Sequence, residues 1–315
     1  MTTARTTAAL AAAFALLPWL VADYHRLFAA EILVWGLLAM SFGLVYGYGG
    51  MLSFAQAVFF GWGCWGYNVA SFLLQWNTWG ALGLAMVAAA VFAVPIGYIA
   101  TRVRQHHFLI VTVIVSVLVS AVLSSGHWRW IAGPYVTRSL TFVPEVPLGV
   151  VRLSYADDLV AYYFTLAVVG GAFAVAWTMV HSPWGRALLA QRDNETRAAL
   201  IGLDVNRLRW SMFVAAAALA GLAGALYALL ARYTNLEFFD WTYSGRAVVM
   251  AILGGTGSLF GPFLGTAAYM LTAELLSDVM PQSVLLFAAL LLVVIRSAPD
   301  GLWGLAERAA ARVRS

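Results

Sequence analysis

Apolar stretches of about 20 residues recur along the whole chain, and they limit the possible folds more than any other feature. A helix rises about 1.5 Å per residue, so a run of that length crosses the roughly 30 Å of bilayer hydrocarbon. Within hydrocarbon every backbone polar group needs a partner in the protein, which leaves helices and closed barrels as spanning structures. Barrel strands read as short alternating segments. Here the runs are continuous, so the expectation is an all-α integral membrane protein. Composition agrees: 63% of the 315 residues are hydrophobic and 10% charged. Soluble domains carry about 25% charge, and so little charge could not cover a soluble surface.

Spans are expected at 7–22, 30–47, 50–72, 80–101, 107–125, 158–180, 208–231, 244–259, 261–279 and 283–296, about ten in one permease-like unit over 1–315. Arg5 ahead of a short apolar stretch also allows a secretory leader at the first span. No small-x-small cleavage site follows Leu20, Val21 and Ala22, which favours a retained helix. Spans eight and nine are interrupted by Gly254, Gly255, Gly257, Gly261 and Pro262 and read equally as broken half-helices.

All eighteen basic residues are arginine, and their placement orients the chain. With the N-terminus inside, the cytoplasmic segments hold twelve: Arg5, Arg102, Arg104, Arg186, Arg192, Arg197, Arg207, Arg209, Arg296, Arg308, Arg312 and Arg314. The outer segments hold five, Arg26, Arg129, Arg138, Arg152 and Arg232. Lys/Arg excess marks the cytoplasmic side, so both ends are expected inside. This explains the basic balance without nucleic acid. The lone cysteine, Cys64, can form neither an intrachain disulfide nor a cysteine metal site. The histidines are scattered rather than clustered as metal ligands, with His106 and His107 at the inner end of span five.

Two loops are long. The outer one, 126–157, contains Gly133, Pro134, Pro144 and Pro147 and predicts ordered turns with a short helix. The inner one, 181–207, has helical spacing after Pro183, a second helix capped by Asp193 or Asn194, and a stop at Gly202. Without lysine the chain holds no Walker A motif, so an ATP-driven role needs separate ATPases.

Five stretches carry the most specific pattern: GYGGMLSFAQAVFFGWGCWGY at 47–67, RQHHFLIVTVIV at 104–115, SPWGRALLAQRDNETRAALIGL leading into RLRWSMFVAAAALAGLAGALYALL, SGRAVVMAILGGTGSLFGPFLG at 244–265, and RSAPDGLWG near the end. Together they resemble the LivM-type permeases of branched-chain amino acid ABC importers. That family's pattern is GY-x-G-x-LS-x-x-x-AFFG, GRA-x-x-A-x-RDNE, AG-x-AG and GG-x-G-x-x-x-GP-x-x-G. The resemblance implies a ten-helix type II importer permease in the bacterial inner membrane, with no cofactor or metal of its own. It further implies a second, LivH-like permease, two ABC ATPases that hydrolyse the ATP, and a periplasmic solute-binding protein. Two departures stand out. The stretch IAGPYVTRS keeps only Gly133 of a T-G-G-x-x-G-like outer motif, and Arg246 replaces a commonly apolar residue. Branched-chain amino acids lead as solute; urea, amides and aromatic or other carboxylates stay open, and an ion-coupled secondary transporter is the rival class.

Gly47, Gly49 and Gly50, ahead of Ser53 and Gln56, would break or bend a helix inside the membrane and expose backbone to a solute path; close helix packing is the alternative use of such glycines. Ser244, Gly254, Gly255 and Gly257 carry the same pair of readings. The small residues of 211–230, among them Ala220, Gly221 and Gly224, read as packing. Arg246 is costly within a span, about 2.5–3.5 kcal/mol, and either faces the path, favouring a carboxylate-bearing solute, or snorkels to the outer interface. In the inner loop, the resemblance makes Arg192, Asp193, Asn194, Glu195, Ala198, Ala199 and Gly202 the segment that seats on an ATPase; a solvated loop is the alternative. Glu31, Glu274 and Asp278 near span ends read as interfacial rather than proton carriers.

Overall fold

The computed structural model describes residues 23–103, 105–126, 136–139, 145–148, 151–155, 157–277 and 301–312. The spans expected at 7–22 and 283–296, with Asp278 and most of the outer loop, lie outside the described residues.

The described chain is dominated by helices. In order they are α1 (Asp23–Gly43, continued by a π-helical turn Leu44–Tyr48), α2 (Gln56–Asn68, continued by a π turn Val69–Leu73), α3 (Thr78–Ala100) and α4 (Gln105–Ser124). Then follow α5 (Asp158–His181), the short pair α6 (Pro183–Asp193) and α7 (Glu195–Leu200), and α8 (Val205–Ala231). The last are α9 (Trp241–Gly254), α10 (Gly261–Ser277) and α11 (Gly301–Arg312). Their starts follow local capping chemistry. Asn77 accepts from the Gly80 N–H at 2.8 Å, Asp157 from Leu159 at 3.0 Å and Asp240 from Thr242 at 2.9 Å. Each side chain satisfies one backbone N–H that the first helical turn leaves free.

Five helical stretches among the described residues are long and apolar enough to cross a membrane: His25–Tyr48, Thr78–Ala100, His107–Ser124, Asp158–His181 and Val205–Ala231. The remaining described helices are shorter. α2, α9 and α10 have 13, 14 and 17 residues. The continuous span expected over 50–72 therefore becomes a non-helical stretch followed by a helix that starts only at Gln56.

α8 is the hub, packed against α1, α2 and α3. Its small-residue face brings backbones into contact. The Cys64 thiol donates to the Gly224 carbonyl at 3.1 Å, and a Cβ on Gly224 would collide with the Phe60 carbonyl. A Cβ on Gly63 would collide with the Gly221 carbonyl. With lipid tails as apolar as leucine, such close packing is what holds membrane helices together. An aromatic cluster closes the other side. Trp35 stacks on Phe60 at 5.9 Å and on Tyr243 at 5.7 Å, and meets Tyr227 edge-on at 5.8 Å, so α1, α2, α8 and α9 share one core. α4 behaves oppositely: Ile110, Ile114 and Leu118 are 55%, 59% and 59% exposed, an apolar face that none of the described residues covers.

The outer loop differs from expectation. Its described parts contain an antiparallel pair, β2 (Glu145–Leu148) with β3 (Val151–Ser154), in the register Val146↔Leu153 and Leu148↔Val151. A further pair joins β1 (Arg138–Ser139) to β4 (Tyr233–Thr234) just after α8. Pro144 and Pro147 read as loop signals because proline leaves a ladder without a donor, yet Pro147 is accommodated in a two-stranded edge.

Candidate functional site

The site is built around the break between α1 and α2. The π turn at Leu44–Tyr48 unwinds the helix, with Gly49 N–H reaching back to Leu44 at 3.2 Å and Met51 N–H to Val45 at 3.1 Å. Gly50 then turns the chain at φ +69°, a conformation open to glycine at little cost. The backbone from here to Ala55 is non-helical, and at Phe54 its polar groups are served by hydroxyls from other helices. The Phe54 N–H donates to Thr112 Oγ1 at 3.1 Å. The Phe54 carbonyl accepts from Ser116 Oγ at 2.7 Å and from Ser244 Oγ at 2.7 Å. Ser244 Oγ in turn accepts the Ala57 N–H at 2.8 Å, and the Ala55 N–H reaches Ser53 Oγ at 3.3 Å. Ser41 donates to Gln56 Oε1 at 3.2 Å. Ser41, Ser53, Gln56, Thr112, Ser116 and Ser244 all have zero exposure.

Thr112 and Ser116 stand near the middle of the 20-residue α4, so the rise per residue puts Phe54 about 10–16 Å from that helix's first residue. An unwound backbone at such a depth survives only if protein groups satisfy it. The serine and threonine hydroxyls do that. Ser244→Ala leaves the buried Ala57 N–H without its acceptor and should cost about 1–3 kcal/mol. A thermal-denaturation midpoint equal to wild type, measured on the purified protein, would contradict this assignment.

Of the residues marked from sequence, Gly49, Gly50, Ser53, Gln56 and Ser244 are thus brought together, with Gln56 Nε2 buried and without a partner. Thr112, Ser116 and Ser41 were not marked. For Thr112 and Ser116 the signal is polar residues at i and i+4 in the otherwise apolar VTVIVSVLVS.

The second glycine cluster lies at the far end of α9. Gly254 abuts the Gly261 carbonyl, Gly255 turns at φ +100°, and α10 runs back against α9. Gly254 and Gly255 are buried; Gly257 is exposed and has open space around it. Gly257 joins Gly47, Tyr48, His181, Arg186 and Arg192 around a cavity of about 420 Å³.

The loop between α5 and α8 packs beneath the break. Ser182 caps α6 by accepting from Gly185 at 3.3 Å, and Asn194 caps α7 by accepting from Arg197 at 2.9 Å. Gly202 ends the segment at φ +87°. The marked residues divide by environment. Arg192, Asp193, Ala199 and Gly202 are exposed, and Ala198 is buried. Glu195 grips Arg209 at the start of α8 with two contacts of 3.1 and 2.7 Å. Beyond them, Leu200 and Ile201 are 81% and 74% exposed. These two apolar side chains protrude from a polar loop.

Arg246 is the sixth residue of α9, exposed, with its guanidinium 5.0 Å from the Tyr243 ring centroid. By helical rise it stands about 12 Å from the C-terminal end of α9 at Gly254. Glu31 accepts from Trp35 Nε1 at 3.2 Å. Among the described residues no three His, Cys, Asp or Glu side chains are placed to hold a metal ion.

Comparison with known proteins adds a common identity to this arrangement. Residues 26–295 match the family model described as branched-chain amino acid transport system / permease component. The chain is 24% identical over 307 residues to the high-affinity branched-chain amino acid transport system permease protein LivM of Salmonella typhimurium, covering 90% of this chain and 71% of that protein. LivM of Escherichia coli is 24% identical over 296 residues, covering 87% and 68%. LivH of Escherichia coli is 23% identical over 286 residues, covering 87% and 92%. No solved structure matches. With the family model spanning most of its length, from within α1 to beyond α10, the chain belongs to the branched-chain amino acid transport system permease family.

Proposed function

We propose that this chain is a permease subunit of an ATP-driven importer that moves branched-chain amino acids or a related small carboxylate across the bacterial inner membrane. It crosses about ten times as one unit over 1–315, with both ends in the cytoplasm. It hydrolyses no ATP itself; two ATPase subunits supply the work, a second LivH-like permease completes the path, and a periplasmic binding protein delivers the solute. The observation that carries this reading is the buried break at 49–55, an irregular backbone at mid-depth of the helices around it. In a membrane transporter such breaks build the solute path. Gly49, Gly50, Ser53, Gln56, Ser244, Gly254, Gly255 and Gly257 line or shape that path.

Arg246 faces it. An exposed guanidinium well inside a helix of a membrane-spanning bundle is costly toward lipid, about 2.5–3.5 kcal/mol, and that cost is avoided in a wet path. There it attracts the solute's carboxylate. On the cytoplasmic side, Arg192 through Gly202 and the exposed Leu200 and Ile201 form the seat for an ATPase.

The test is uptake of leucine, isoleucine and valine into vesicles holding the chain, its partner permease, the ATPases and the binding protein. Uptake should require ATP and every component. Uptake without ATP or without the ATPases would overturn the proposal. Arg246→Ala should lower carboxylate-solute uptake about tenfold, equivalent to ~1.4 kcal/mol. Unchanged uptake and selectivity would remove Arg246 from the path.

A further inference from the structure

The α6–α7 loop touches the break itself. Gln191 is 1% exposed, and its Nε2 donates to the Gly49 carbonyl at 3.0 Å. Its neighbour Arg192 donates through Nη1 to the Gly47 carbonyl. These carbonyls are left over by the unwinding, because the residues that would serve them in a continuous helix have turned away. Two adjacent residues of α6 therefore hold the two carbonyls that bracket Tyr48, at the start of the irregular stretch.

Gln191 is not a packing residue of convenience. Its Oε1 is buried without a partner, a cost that an apolar side chain of similar length would avoid. What an apolar residue could not do is bind Gly49. The same loop is held to α8 at two places: at its middle Glu195 holds Arg209, whose side chain is 8% exposed, and near its start Trp184 Nε1 donates to Ser211 Oγ at 3.0 Å. Leu200 and Ile201 project at its other end. The segment thus has a protruding end, a fulcrum on α8 at Glu195, and, just before that fulcrum at the junction of α6 and α7, two residues bonded to the break.

We propose that Gln191, with Arg192, is the positioning link that carries movement of the docked ATPase to the break at 49–55. This rests on the importer reading above. Displacing Leu200 and Ile201 rocks α6–α7 about the Glu195–Arg209 pair and moves the Gly47 and Gly49 carbonyls. The irregular segment follows, up to Phe54 among its hydroxyls.

The experiment uses the assembled importer in vesicles and measures solute moved per ATP hydrolysed. Gln191→Met keeps length and removes the donor; Gln191→Glu keeps shape and also removes it. Both should retain ATP hydrolysis stimulated by the loaded binding protein, while uptake per ATP falls about tenfold or more. A merely structural role predicts that both activities fall together with the amount of assembled complex, and that result would overturn the link. So would an unchanged ratio. A second measurement needs no variant. In the wild-type importer, trapping the ATPases with nucleotide should change amide hydrogen exchange in 188–193 and in 47–51 together. A change in 188–193 with none in 47–51 overturns the link alone. Absence of ATP-driven uptake by the wild-type assembly instead overturns the importer reading, and this inference with it.

Discussion

Gly224→Val should leave almost no folded permease in the membrane. At Gly224 even a single Cβ meets the backbone carbonyl of Phe60, and the Gly224 carbonyl itself accepts from Cys64 at 3.1 Å. Neither partner is a flexible side-chain tip that can swing aside. Valine adds three heavy atoms where there is space for none, so α2 and α8 must separate along a contact that also includes Gly63 and Gly221. Overpacking a core costs about 1–3 kcal/mol when side chains can adjust, and more when the obstacle is backbone. Because close approach rather than hydrophobic burial holds membrane helices together, the loss spreads to the whole α8 hub. Gly170 supplies the control: it lies in a helix of similar character, but a Cβ there meets nothing within 4 Å. Detergent-extracted, monodisperse protein should persist for Gly170→Val and vanish for Gly224→Val. Comparable yields for the two would refute the packing described for α2 and α8.

The second large effect concerns assembly rather than folding. Leu200→Asp combined with Ile201→Asp should abolish co-purification of the ATPase subunits while leaving the permease in the membrane at normal levels. Both side chains are mostly exposed in this chain, so changing them removes little internal packing, and surface changes of that kind stay within about 0.5 kcal/mol. Seated in a partner's groove, each would contribute about 1.5–3 kcal/mol of burial. Losing both and placing carboxylates there weakens binding by about a hundredfold or more. The ratio of ATPase to permease in the purified complex measures this directly, with the permease's thermal midpoint as internal control. A normal ratio would make the protruding pair a solvated loop.

Sequence reading located most helices because hydropathy over a window and capping residues act locally. Asn194 illustrates this: an amide ahead of a short helical pattern became the cap of α7. The unwinding at 51–55 was invisible to hydropathy because Met51, Leu52, Phe54 and Ala55 are as apolar as the helix they interrupt. Only Gly47, Gly49 and Gly50 hinted at it. The candidate site was half legible for a related reason. Ser53, Gln56 and Ser244 stand out among apolar neighbours, but which hydroxyl meets which carbonyl depends on how α4 and α9 pack, nearly 60 and 190 residues away along the chain. Arg246 reads from sequence as close to the outer end of its span. α9 begins at Trp241 and ends at Gly254, which makes Arg246 its sixth residue rather than the third of a span starting at 244. Gln191 reads from sequence only as part of the helical spacing after Pro183, beside the more conspicuous Arg192-Asp193-Asn194-Glu195, since nothing local distinguishes a glutamine that bonds a distant backbone from one that bonds water.

The Phe54 carbonyl has a kinetic consequence. It accepts from two donors, one on α4 and one on α9. If these helices separate, either serine can release the oxygen while the other keeps it, so no carbonyl is stranded in hydrocarbon during the exchange. The transition then gives up one hydrogen bond, about 0.5–1.5 kcal/mol, rather than the full penalty of a buried orphan. A doubly held oxygen at a helix break therefore acts as a hand-over point. It lowers the barrier between alternative arrangements of α4 and α9 while leaving each of them well satisfied.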